Sequence, residues 1–72
     1  MPTPDLPQTE AEVRGWLVGW TEATAFGNPA ERHRAALFLR EYDDAVTVLK
    51  QDAVTAYATA MRAMERRAKR TA

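Results

Sequence analysis

AERHRAALFLREYDDAVTVLKQDAVTAYATAMRAMERRAKRTA, residues 30–72, contains neither glycine nor proline. It is rich in strong helix formers (Ala, Leu, Met, Glu, Arg and Lys), so its apolar period decides the fold. Ala35, Phe38, Leu39, Tyr42, Val46, Leu49 and Ala53 recur at the three- and four-residue spacing of one helix face. Val54, Tyr57, Met61, Met64 and Ala68 continue that stripe but are rotated around the axis. Two readings account for the drift. A single helix over residues 29–70 would bend or supercoil, giving a rod of about 60 Å. A break near residues 51–52, with Asp52 capping a third helix, would give shorter pieces instead.

Upstream, Phe26-Gly27-Asn28-Pro29 is the clear punctuation. Gly27 can adopt the left-handed conformation that closes a helix, Asn28 can cap the next, and Pro29 suits its first turn. Glu31 then falls near the new helix's positive end. A turn this short makes its two helices antiparallel neighbours. The first of them is expected over residues 10–25, opened by a Thr9/Glu12 capping box. Val13, Trp16, Leu17, Trp20 and Thr24 share its apolar face. Residues 1–8 hold three prolines and read as an extended arm, leaving 9–72 as a single helical domain.

The fold class is therefore all-α: a helical hairpin of a short helix on a long one. The short helix spans about 24 Å and covers only part of its partner. Val54, Tyr57, Met61 and Met64 would then face water, at roughly 1.5–3 kcal/mol for each large side chain left unburied. A second copy is the natural cover, so a dimeric bundle is the expectation and a monomeric three-helix bundle the alternative. A chain of 72 residues supports one domain, whose core supplies about 3–5 kcal/mol.

Cysteine and serine are absent, which removes disulfides, thiolate metal sites, and cysteine or serine nucleophiles. His33 is the single histidine and has no carboxylate three or four residues away to share a metal. Glu41, Asp43 and Asp44 lack the Glu-x-x-His pattern of di-iron bundles. No enzyme, cofactor or metal site is expected. Ala11 to Val18 resembles the opening helix of acyl carrier domains. Ala45, however, stands where their prosthetic-group serine would be required, so carrier activity is not expected. Met1-Pro2-Thr3-Pro4-Asp5 has no basic and apolar signal regions, and the apolar runs are too short to span a bilayer. The expected location is cytoplasmic.

Net charge is zero but unevenly spread. Residues 1–52 carry nine acids and five bases, and residues 53–72 carry one acid and five bases. Such a chain can pair with itself or present its basic end to an acidic partner. The leading expectation is a small accessory or regulatory factor that binds another protein. Gly15 and Gly19 leave a small-residue face on the first helix, Trp20 is a candidate hot spot, and Leu37 and Val48 lie off the main stripe. The alternative is a nucleic-acid-binding regulator that uses Arg62, Arg66, Lys69 and Arg70 on one side of the C-terminal helix. A helix-turn-helix reading would need Arg32, His33 and Arg34 in the major groove, beside acids that repel phosphate.

Overall fold

The computed structural model describes residues 6–71, with the backbone alone at 69–71. Within these residues the chain is all-helical: α1 (Glu10–Phe26), α2 (Pro29–Thr47) and α3 (Ala53–Thr71), packed against one another with no strand. α2 contacts both neighbours extensively, whereas α1 and α3 meet over a smaller area. The first five residues of the expected N-terminal arm lie outside the described residues.

Local chemistry sets each boundary. The Thr9 hydroxyl accepts from the Glu12 amide at 3.1 Å and donates to the Glu12 carboxylate at 3.3 Å, so only half of the expected capping box forms. At α2 the box is complete. Asn28 Oδ1 accepts from the Glu31 amide at 2.8 Å, and the Glu31 carboxylate accepts from the Asn28 amide at 3.0 Å.

Gly27 closes α1 differently from expectation. Its φ of −74° and ψ of 168° are extended, not left-handed. The constraint is space: a Cβ there would lie 2.7 Å from the Ala23 carbonyl oxygen and 2.9 Å from Glu31 Cβ.

The long helix of the expected hairpin is two helices. The Val48 and Leu49 amides both turn back to the Asp44 carbonyl, at 2.8 and 3.2 Å. Lys50 then takes a φ of 58°, and the Gln51 amide reaches the Ala45 carbonyl at 3.1 Å. Asp52 restarts the helix, its carboxylate accepting from the Thr55 amide at 2.7 Å. That backbone donor and the Thr55 hydroxyl hold the Asp52 carboxyl below its usual range.

The consequence is a body of 31 × 29 × 26 Å instead of a rod. α3 folds back, and Val54, Met61 and Met64 pack against the cluster formed by Val13, Phe38, Tyr57 and Ala60. Of the apolar side chains that motivated a second copy as cover, Tyr57 is thus buried and Val54, Met61 and Met64 are partly covered within one chain. Alanine makes up the rest of the core, with Ala35 and Ala45 on α2 and Ala56 and Ala63 on α3. Small side chains on facing helices allow close approach of their axes.

Candidate functional site: two grooves and an exposed loop

Four aromatic rings tie the helices together. Trp20 stacks on Phe38 with centroids 4.1 Å apart and planes 9° from parallel. Phe38 meets Tyr57 at 4.9 Å and 61°, and Trp16 meets the same tyrosine edge-on at 5.7 Å and 79°. The Trp20 indole N–H donates to the Tyr57 hydroxyl at 2.8 Å, joining α1 to α3 through a polar contact in the partly buried core. The Arg34 guanidinium sits 5.0 Å from the Trp20 ring centre, within cation–π range.

This relay shapes a first cleft, between α1 and α3. It is shallow, about 300 Å³, and lined by Trp16, Gly19, Trp20, Ala23 and Tyr57. Trp16 belongs to the expected core stripe, yet it is 38% exposed. Its ring packs edge-on against Tyr57. Phe26, 85% exposed, lies ten residues further along α1, close to the helical bearing of Gly15 and Gly19. A Cβ at Gly15 or Gly19 would meet nothing within 4 Å, so both glycines border open space.

A second groove, about 320 Å³, runs between α2 and α3. Leu37, Met64 and Ala68 line it together with His33, Arg34 and Arg67. Arg67 bonds the Glu41 carboxylate at 2.9 Å. Beyond that ion pair a polar cleft of about 310 Å³ is lined by Glu41, Ala63, Arg66 and Arg67.

The five expected partner-binding residues therefore fall in three places. Gly19 and Trp20 line the α1–α3 cleft, with Gly15 one turn before Gly19. Leu37 is half-buried in the α2–α3 groove. Val48, 71% exposed, stands with exposed Leu49 in the connection after α2. Of the expected nucleic-acid residues, Arg62 and Arg66 are exposed on α3, and the Lys69 and Arg70 side chains lie outside the described residues.

Sequence reasoning missed the outward share of Trp16 and the basic rim made by His33 and Arg34. The first is set by where Tyr57 lands. The second arises because the turn at residues 48–52 brings the start of α2 beside the end of α3.

Tyr42 has its phenol pushed above the ordinary value, first by burial and then by the nearby Glu10 carboxylate. Among the described residues no buried side-chain polar atom lacks a partner, and no group of three metal-ligating side chains is found. No described helix is long and apolar enough to cross a membrane. Comparison with protein families, curated proteins and solved structures finds no match to this chain.

Proposed function

We propose that the protein is a small non-catalytic helical interaction factor, accessory or regulatory in role. In this reading it binds another protein through the α1–α3 cleft. The observation that carries the reading is Trp16. A large ring that is 38% exposed, yet held at 5.7 Å and 79° by a buried tyrosine, is an apolar contact whose orientation is fixed before binding. The open space over Gly19 and the exposed Phe26 extend the same face along α1. The partner inserts an apolar ridge against Trp16 and Ala23. A second copy of the chain is one such partner, and it would make the protein a dimer.

Gly19 gives a clean test, because filling it blocks the cleft without crowding the fold. Gly19→Lys should raise helix stability by about 0.5–1 kcal/mol, since glycine is the poorer helix former. It should also abolish binding. A photo-crosslinking residue at position 26, exposed on the same face but outside the cleft lining, should capture a discrete adduct from native lysate, or a dimer of the purified chain. Trp16→Ala should remove that adduct. The same crosslinker at exposed Thr21 should give none. Equal capture from positions 26 and 21, or capture unaffected by Trp16→Ala, would contradict the reading.

A further inference from the structure

We infer that the α2–α3 groove is a separate docking site for an acidic amphipathic peptide segment, with an apolar side chain seated on Leu37 and Met64 and carboxylates on the cationic rim. Four observations converge on that chemistry. The groove is about 320 Å³ and combines the apolar side chains of Leu37, Met64 and Ala68 with His33, Arg34 and Arg67. Met64 is unbranched and flexible, so it adapts to more than one apolar anchor. Arg34 is restrained by its place 5.0 Å from the Trp20 ring centre, which lowers the entropy lost when it pairs with a carboxylate. Arg67 already holds one carboxylate, Glu41, at 2.9 Å, which shows the geometry the rim can offer to such a group.

Charge complementarity selects this occupant over nucleic acid. Among the described residues no Phe, Tyr or Trp lines the groove, so it lacks the broad aromatic platform on which successive bases stack. Its apolar side chains reward a hydrocarbon anchor that a phosphate backbone does not carry.

The two sites meet at the Arg34–Trp20 contact, but Trp16 lines only the α1–α3 cleft and Ala68 only this groove, so substitutions there separate them experimentally. The probe is a fluorescein-labelled amphipathic helical peptide with leucines on one face and glutamates flanking them, followed by anisotropy on the full chain at low salt. Three controls accompany it: the same peptide with glutamine for glutamate, the same peptide with alanine for leucine, and a labelled DNA duplex. The acidic leucine peptide should bind, and each altered peptide should bind about tenfold or more weakly, equivalent to about 1.4 kcal/mol or more. Added salt should weaken it, as screening of exposed charges requires.

Ala68→Glu places a carboxylate at the exposed edge of the groove and should lower affinity about tenfold or more, while helicity measured by circular dichroism is unchanged. Leu37→Asp should abolish binding. If it also unfolds the chain, Ala68→Glu alone decides. Trp16→Ala should leave the peptide affinity unaltered, which separates this site from the cleft on α1. Equal binding of the glutamine peptide overturns the inference. So does full affinity in Ala68→Glu, or tighter binding of the duplex than of the peptide.

Discussion

Replacing Lys50 with glycine tests the feature on which both grooves depend. Lys50 is the one non-glycine residue with positive φ among those described, at 58°. The left-handed conformation costs an L-residue about 1–2 kcal/mol through the clash of Cβ with the backbone. Glycine escapes that clash but loses about 0.5–1 kcal/mol more backbone entropy on folding. Taking the middle of each range, the net gain is roughly 0.75 kcal/mol for Lys50→Gly. In an uninterrupted helix over residues 29–70 the same substitution would cost about 1 kcal/mol. The two architectures thus predict opposite signs.

Urea denaturation followed by far-ultraviolet circular dichroism reads the sign directly. With a slope near the low end for small domains, about 1 kcal/mol per molar, the midpoint should rise by roughly 0.75 M. Thermal midpoints should rise by about 3–6 °C, using about 4–8 °C per kcal/mol for a domain of this size. A fall in the urea midpoint by about 1 M would refute the break at residues 48–52, and with it the packing of α3 against α2.

Tyr57→Phe leaves the Trp20 indole N–H, now bonded at 2.8 Å, without its protein partner in a partly buried position. A loss of about 1–2 kcal/mol is expected in urea, and Trp20→Phe with Tyr57→Phe should cost less than the two single changes added. Additive costs would mean that the contact contributes nothing. The lowered Asp52 carboxyl gives a pH dependence. Because its folded value lies below the unfolded one, the ionised cap contributes fully above the usual aspartate range, about 3.9. That contribution is lost as pH falls through the folded value. Asp52→Asn keeps a cap that does not titrate, so the stability difference between the two proteins should shrink from pH 5 to about pH 2. A difference constant across that range would exclude the Asp52 cap.

Much of the fold is written in the sequence. Thr9, Asn28 and Asp52 each cap the helix that follows them, and Val13 and Phe38 are buried as their spacing requires. The weak point is the break between α2 and α3, because nothing at residues 48–52 resembles a usual helix terminator. Lys50 occupies the conformation that glycine ordinarily supplies. The cost is tolerated because folding α3 back buries Tyr57 and partly buries Val54, Met61 and Met64. At about 1.5–3 kcal/mol for each large apolar side chain, that burial exceeds about 1–2 kcal/mol of backbone strain. Local propensity favoured continuation and tertiary packing overrode it, a balance that single-residue preferences do not contain.

The same balance explains why the candidate site was only half legible. Gly19 and Trp20 belong to one helix, so helical periodicity places them near each other before any tertiary structure is considered. Trp16 shares that helix, but whether it turns inward or stands at a cleft depends on Tyr57, which lies beyond the unmarked break. The rim of the α2–α3 groove depends on the break even more strongly. In a continuous helix, residues 33–37 and 64–68 would be about 45 Å apart at 1.5 Å per residue. The turn at Lys50 brings them to one groove. The left-handed Lys50 therefore bears on whether Met64, Arg67 and Ala68 extend into solvent or close against Leu37. A substitution that straightened this turn should abolish peptide binding at that groove and expose Tyr57 together, and separation of those two losses would show that the groove does not depend on the turn.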